Sequence, residues 1–204
     1  GDFKKVDSGI NFAAGLTMQG ELYVWGSNSN GVFGDGSSSN TSIPYPTLVP
    51  GHLWYDFACG STHIAAIKED GQLYEWGIYA PSSQSFLPLA QSLTNGSYGP
   101  YIMNDYSARK VWASSQRTFI LTTGDGASSD GYIYSRGFSP NREIGRISNK
   151  NDFGHLIETS YNSLSVIEQD LLRYPKDFSA GASSTGIINQ YGQLYWMGNN
   201  DGPN

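Results

Sequence analysis

The residue types that carry most protein chemistry are few in this 204-residue chain, and they lie far apart. It has three histidines, His52, His63 and His155, and one cysteine, Cys59. General acid–base and nucleophilic catalysis need such groups within hydrogen-bond reach of one another. The chain contains no H-E-x-x-H, paired C-x-x-C or G-x-S-x-G motif. We therefore predict no catalytic residue.

Three polar stretches resemble known binding loops, but each lacks part of the motif that such a loop requires. Gly31 to Gly36 is glycine-rich but lacks the Lys-Ser/Thr end of a phosphate loop. Asp125 and Asp130 share one turn, and residues 199–201 form an Asn-Asn-Asp run. A Ca²⁺ loop needs several oxygen ligands at fixed intervals and a closing carboxylate, which neither stretch supplies. The sequence thus predicts plain turns, with no metal ligand and no cofactor.

Composition excludes further classes of partner. The net charge is −6, and charged residues make up 15% of the chain, against about 25% in typical proteins. Proteins that bind duplex nucleic acid place Lys and Arg against phosphates, whereas the largest basic cluster here is Lys4-Lys5. We expect no duplex nucleic-acid partner. The chain has no run of 18 apolar residues, so no membrane span is expected.

The secondary-structure elements that would position any functional site follow an internal repeat in the sequence. A glycine, a tyrosine three residues later and a second glycine three residues after that occur four times. The four sets are Gly20, Tyr23 and Gly26; Gly71, Tyr74 and Gly77; Gly131, Tyr134 and Gly137; and Gly192, Tyr195 and Gly198. A period near 50 residues is typical of propellers and other arrays of one supersecondary unit.

Each repeat is predicted to be a β-hairpin followed by less regular strand. Apolar residues alternate with small or polar ones, which indicates half-buried strands. Asp70-Gly71 and Asp130-Gly131 stand where a hairpin turn needs positive φ. The segment Ile43–Pro50 contains three prolines, which confine it to a sheet edge. The residues that match Cys59 in the other repeats, read as Ser8, Ser114 and Ala180, are small, so we expect a packed core thiol.

The first repeat resembles that of the regulator of chromosome condensation family. The residues that carry the resemblance are Gly9, Ala14 to Thr17, Gly20, Leu22, Tyr23, Trp25, Gly26, Asn28, Gly31, Gly34 and Gly36. The second repeat keeps Gly60, His63, Gly71, Leu73, Tyr74, Trp76 and Gly77. In the third and fourth repeats Arg136 and Met197 replace the tryptophan. The resemblance implies β-propeller blades, commonly seven, and a structural role for His63. The sequence places Phe12, Thr118 and Ser184 at the matching positions of the other repeats.

The predicted fold is all-β, a partial or fragmentary β-propeller of about four blades with one short inserted helix. One domain, 1–204, is expected to hold repeats at 3–53, 54–107, 108–174 and 175–204, the last of them incomplete. The helix is expected between blades, because Leu164, Ile167 and Leu171 share a helical face and Ser165 and Glu168 are spaced as a capping box. Four repeats, the last incomplete, predict a partial ring, an arc completed by another chain, or a fragment of a longer protein, and we favour the last two.

The leading hypothesis for function is a non-enzymatic propeller that binds protein or builds a structure. No individual binding residue is predicted. The long linkers 78–107 and 138–174 are read as covering segments or as recognition surfaces. With 27 serines and 14 asparagines, the composition favours a virion or extracellular surface, such as a phage tail or fibre, over the cytoplasm. The alternatives are nucleotide exchange on a small GTPase and a propeller that binds or hydrolyses glycans, with a host surface glycan as partner.

Overall fold

The computed structural model describes residues 1–51, 53–77, 101–123, 131, 133–137, 165–166 and 174–198. These residues form 14 β-strands and no helix. The strands are β1 (Phe3–Ser8), β2 (Phe12–Thr17), β3 (Leu22–Ser27), β4 (Ser42–Leu48), β5 (Trp54–Cys59), β6 (His63–Lys68), β7 (Gln72–Gly77), β8 (Tyr101–Ser114), β9 (Arg117–Thr122), β10 (Ile133–Gly137), β11 (Ser165–Val166), β12 (Asp177–Ala180), β13 (Ser184–Ile188) and β14 (Leu194–Gly198).

The strands form antiparallel meanders that follow the repeat. The first blade has the order β1-β2-β3-β4, and the fourth has β12-β13-β14. The second and third blades share the long strand β8, whose residues up to Ser107 pair with β7 and whose residues from Ala108 pair with β9. The second blade is therefore β5-β6-β7 with the first half of β8. The third blade is the second half of β8 with β9-β10-β11.

Local sequence explains the turns and the edge. Gly20, Gly71, Gly131 and Gly192 have φ of 80°, 85°, 79° and 84°, as the hairpin turns require. The proline-containing strand β4 lies at the edge of its sheet, where a missing N–H breaks no ladder bond. Both sequence predictions are confirmed.

The hydrophobic core is divided among the spaces between successive blades. Leu16 and Leu22 of the first blade pack with Phe57 and Trp76 of the second. Ile67 and Leu73 meet Val111 and Ile120 across the next space, and Phe119 and Ile133 meet Phe178 and Met197 across the last. Sheets that pack face to face in chain order form an arc of a propeller. The predicted all-β, partial-propeller fold is confirmed.

The prediction of an inserted helix is wrong at Ser165 and Val166, the two residues of the predicted helix that the structure describes. Ser165 and Val166 form β11, which pairs with Ser135 and Tyr134 of β10. The free edge of β10 offers main-chain hydrogen bonds, and pairing with it outweighs the helical spacing of the apolar residues. Residues 138–164 and 167–173 lie outside the described part of the chain.

Strand register also corrects the alignment of the third repeat. His63 lies opposite Gly77, and Phe12 lies opposite Gly26. In the third blade the residue opposite Gly137 is Arg117, not Thr118. On the neighbouring strand, Ser114 therefore matches Gly60, and Ala113 matches Cys59. The third repeat has Ser114 where the second has Gly60, so it lacks the glycine by which the repeats are aligned. This difference explains why the predicted alignment is shifted by one residue.

Candidate binding surfaces

The residues singled out for chemistry are packed between strands. The His63 side chain is fully buried, and its Nε2 lies 3.0 Å from Thr118 Oγ1 in the third blade. Gly60 leaves the space that the His63 ring occupies, since a Cβ there would lie 2.0 Å from the ring. The Cys59 thiol is also buried, and burial raises its pKa well above the ordinary value. Both groups belong to the core, as the sequence predicts.

Arg117 joins the third blade to the fourth. Its side chain is buried, and one of its terminal nitrogens donates to the carbonyl oxygens of Gly181 at 2.8 Å and Ala182 at 2.5 Å. The Ser114 hydroxyl donates to the same Gly181 oxygen at 2.7 Å. The guanidinium therefore replaces the ring of His63 or Phe12 and anchors the next blade. The sequence assigns Thr118 to this position, because the longer third turn breaks the spacing: Gly26, Gly77 and Gly198 each follow their paired residue by 14 positions, whereas Gly137 follows Arg117 by 20.

Asp56 joins three successive blades through one carboxylate. Oδ1 accepts a hydrogen bond from Lys5 Nζ of the first blade at 2.6 Å and from its own neighbour Phe57 N at 2.9 Å. Oδ2 accepts from Val111 N of the third blade at 3.2 Å. In the fourth blade Asp177 holds the register of Asp56, opposite Ile188 as Asp56 is opposite Ile67. Its Oδ1 likewise accepts the next N–H, from Phe178.

The turns that open the blades are linked by one recurring main-chain bond. Ile10 N donates to Ser61 O at 3.0 Å, and Ser61 N donates to Ser115 O at 2.7 Å. These three residues hold the same position in successive repeats. The first two joints of the arc thus share one contact, in which the earlier blade donates to the later one.

The back face of a blade, defined as the side that packs on the next blade, is exposed in the fourth blade. Leu194 is 72% exposed and Trp196 is 50% exposed. In the other three blades the matching residues are at most 1% exposed: Leu22 and Val24, Leu73 and Glu75, and Ile133 and Ser135. The fourth blade therefore presents an apolar surface whose counterparts are all covered.

The front face, defined as the side that packs on the preceding blade, is exposed in the first blade. Phe3 is 45% exposed and Val6 is 67% exposed, and the Phe3 ring contacts Tyr23 and Trp25 edge-on, with centroids 5.9 and 6.5 Å away. The second-blade counterparts pack on the first blade: Trp54, Phe57, Tyr74 and Trp76. Each end of the arc thus carries one uncovered half of an interblade contact.

Several sequence predictions lie outside the described residues. These are the turn with Asp125 and Asp130, the run 199–201, and His52 and His155. Among the residues that the structure describes, no three His, Cys, Asp or Glu side chains gather to hold a metal ion. The same residues include no apolar helix of the length needed to cross a bilayer.

Comparison with known proteins matches residues 3–67 to a repeat family. Two models of the regulator of chromosome condensation (RCC1) repeat match residues 19–67 and 3–32. The human E3 ubiquitin-protein ligase HERC2 is 27% identical over 199 residues, which are 95% of this chain and 4% of the ligase. Ras guanine nucleotide exchange factor C of Dictyostelium discoideum is 36% identical over 75 residues, or 36% of this chain and 5% of that protein.

A solved structure shares the fold of the arc. The structure of Prp20p from Saccharomyces cerevisiae, described with its binding properties to Gsp1p and histones, matches with a TM-score of 0.68 and 17% identity. The match covers 96% of this chain and 45% of Prp20p. At this identity the likeness establishes the fold. The chain spans a small part of the two sequence relatives and just under half of this propeller.

Proposed function

We propose that this chain, whose residues 3–67 match the repeat of the regulator of chromosome condensation family, is a non-enzymatic propeller module that binds protein. The observation that carries the proposal is the exposure of Leu194 and Trp196, whose counterparts in three blades are buried. Large exposed apolar patches mark interaction sites in soluble proteins. Tryptophan is also enriched among the residues that dominate binding energy.

The described polar groups support binding over catalysis. His63 and Arg117 are buried and hold neighbouring blades together. Asp56 is bonded to Lys5 and to two main-chain N–H groups. Groups committed to such bonds hold strands in place and are not available to a substrate. Prp20p, which shares the fold, is described as binding Gsp1p and histones, and protein binding is the property we extend to this chain.

A photo-crosslinking amino acid at position 194 tests the proposal in cells that make the protein. We expect crosslinks to a protein that, once purified, binds the chain saturably and binds Trp196→Asp at least about 30-fold more weakly, or about 2 kcal/mol. The same probe at Tyr45, which is 65% exposed on the edge strand, is the control and should not label that protein. Absence of saturable binding to every crosslinked protein would overturn the proposal.

Nucleotide exchange on a small GTPase is the second candidate. It is favoured by the 36% identity to Ras guanine nucleotide exchange factor C over 75 residues. Release of a fluorescent guanine nucleotide from a loaded Ras-type GTPase, measured with and without the chain, tests it. Accelerated release supports exchange, whereas an unchanged rate across a titration removes this candidate.

The finer assignments remain predictions from composition. A virion or extracellular setting depends on the excess of serine and asparagine over charged residues. A host surface glycan as partner depends on the same observation. A glycan array probed for both retention and hydrolysis distinguishes a sugar-binding propeller from a glycosidase.

A further inference from the structure

We propose that a row of cationic and aromatic side chains, set where the first strand of each blade begins, binds an acidic peptide segment of another protein. This entry row consists of Lys4, Tyr55, Arg109, Lys110 and Lys176. The inference rests on the proposed protein-binding function but uses a surface other than the back face of the fourth blade. Its supports are a recurring β-bulge, the positive charge at the entries, and the exposure of the central members.

A β-bulge recurs where the first strand of a blade begins. At Lys4, two residues of β1 oppose one of β2, and the pairing shifts in the same way at Tyr55 of β5 and at Arg109 of β8. In the fourth blade, Lys176 comes directly before the first paired residue of β12. A bulge leaves its extra residue out of the ladder and re-aims its side chain. The same position of successive blades is therefore turned to solvent, and a cation or a tyrosine occupies it.

Positive charge is concentrated at these entries. Asp56 and Asp177 occupy two of the positions that follow a bulge residue, and Asp56 is paired with Lys5 at 2.6 Å. Five of the eight Lys and Arg residues in the described part of the chain lie at the bulge position or at the next residue: Lys4, Lys5, Arg109, Lys110 and Lys176. The entries thus stay positive in a chain whose net charge is −6. An acidic ligand is attracted to such a patch and repelled by the rest of the chain.

Acidic residues border the row without interrupting it. The hairpin glycines Gly20 and Gly71 accept hydrogen bonds from the entries of the following blades, so the hairpin turns lie at the same end of the blades as the row. Glu21 and Asp70 are in these turns. Their charge repels an acidic ligand that leaves the entries, so a bound acidic peptide should be restricted to the line from blade to blade.

The central members of the row are exposed although each of their blades has a neighbour on both sides. Tyr55 of the second blade is 52% exposed, and Arg109 and Lys110 of the third blade are also exposed. Tyrosine and arginine are enriched among the residues that dominate binding energy at protein interfaces. The composition of the row is therefore that of a binding surface.

The contacts within the row favour carboxylates over nucleotide bases. Lys4 Nζ lies 5.8 Å from the centroid of the Tyr55 ring, and Arg109 Cζ lies 5.5 Å from that of the Tyr174 ring. Nucleic-acid strands bind such surfaces by stacking bases on open ring faces, whereas a cation already covers one face of each ring here. The Tyr55 hydroxyl and the cationic groups are donors, and carboxylates accept charge-assisted hydrogen bonds from them. An acid-rich peptide thus fits the row better than a nucleic-acid strand.

Fluorescence anisotropy of a labelled oligoglutamate peptide, titrated with the whole chain, tests the proposal. We expect saturable binding at low salt that weakens as salt is added, because exposed charges are screened. An oligoglutamine peptide of the same length should not bind. Arg109→Gln should weaken oligoglutamate binding at least about 3-fold, and Arg109→Gln/Lys110→Gln at least about 10-fold, since each change removes one cation from the row.

Lys68→Gln is the matched control. Lys68 is a cation of the second blade outside the row, and its Nζ lies over the rings of Trp54 and Tyr74, 5.3 and 4.8 Å from their centroids. Its loss lowers the net charge as much as Arg109→Gln does, but it should change the affinity by less than about 2-fold. Circular dichroism checks that each variant keeps its fold.

The proposal is overturned if oligoglutamate does not bind saturably, or if Lys68→Gln weakens binding as much as Arg109→Gln. It is also overturned if oligothymidylate or inorganic phosphate binds more tightly than oligoglutamate and loses affinity in the row variants, which would assign the row to nucleic acid or to a free anion. Trp196→Asp should leave oligoglutamate binding unchanged, because it alters only the back face of the fourth blade. The entry row and the proposed function can therefore fail separately.

Discussion

At the scale of single residues, the glycine at or next to the end of each blade's third strand is the most constrained position. Gly26, Gly77 and Gly198 have φ of 102°, 104° and 130°. A Cβ at Gly26 would lie 2.5 Å from Asn11 O, and one at Gly77 would lie 2.5 Å from Thr62 O. Both the backbone angle and the space exclude a side chain, which is why this glycine recurs in every repeat.

Gly26→Ala is therefore expected to lower the free energy of unfolding by more than about 2 kcal/mol, since the strained φ and the contact with Asn11 O add together. Gly186→Ala is the matched control. A Cβ at Gly186 would meet nothing within 4 Å, and its counterparts in the first two blades are Ala14 and Ala65. Urea unfolding of both variants measures the difference, and equal effects would contradict this account.

The buried thiol of Cys59 makes stability depend on pH. Burial raises its folded-state pKa, with the Asp7 carboxylate adding to the shift and Lys5 opposing it. Below about pH 8.5, the thiol's unfolded-state pKa, both states keep the proton and the effect is absent. Above it only the unfolded state loses the proton, so the folded state loses stability as pH rises.

Between pH 8 and pH 9.5 the wild-type chain should thus lose about 1 kcal/mol more stability than Cys59→Ala. Alanine is the residue that the matching position carries in the third and fourth blades, Ala113 and Ala180, so the fold should accept it. Denaturant melts at the two pH values give the double difference. A difference near zero would mean that the thiol ionises equally well in the folded chain.

At the scale of elements, the joints between blades combine apolar packing with a few repeated polar contacts. The indole N–H of Trp76 donates to Val32 O of the first blade at 2.7 Å. Asp56 of the same second blade accepts hydrogen bonds from Lys5 of the first blade and from Val111 N of the third. A joint of this kind fixes how one sheet is set against the next, because these hydrogen bonds tolerate little change in distance or angle.

Asp56→Ala should accordingly destabilise the chain by about 1–3 kcal/mol, since two main-chain N–H groups lose their acceptor. Asp177→Ala removes an acceptor only from Phe178 N among the described contacts and should cost less. Thermal unfolding at matched concentration ranks the two variants, and the reverse order would contradict the role given to Asp56.

The strands were predictable because each hairpin has its own local signal, whereas the joints were not. The spacing from Gly20 to Tyr23 and Gly26 sets both strand type and turn, and it repeats in the sequence. Arg117 and Asp56 form hydrogen bonds between blades, and no local sequence pattern predicts which carbonyl oxygen or N–H group of the neighbouring blade they contact. The two-residue strand β11 likewise depends on the free edge of β10. Main-chain pairing with that edge outweighs the helical spacing of the apolar residues in that segment.

At the scale of the whole molecule, the stability of each blade depends on the blades beside it. Each blade meets only its neighbours, so the arc behaves as a short one-dimensional array in which end units lack one stabilising contact. The first blade still has an outer strand, β4, whereas the described part of the fourth blade ends at β14. We therefore expect the fourth blade to be the least stable unit.

Hydrogen exchange tests this order. Amides of β6 are paired on both sides by β5 and β7 and should exchange slowest, by global unfolding. Amides of β14 are paired by β13 alone and should exchange earlier, through local opening of the fourth blade. Equal rates for the two strands would show that the arc unfolds as one unit, without a blade that opens first.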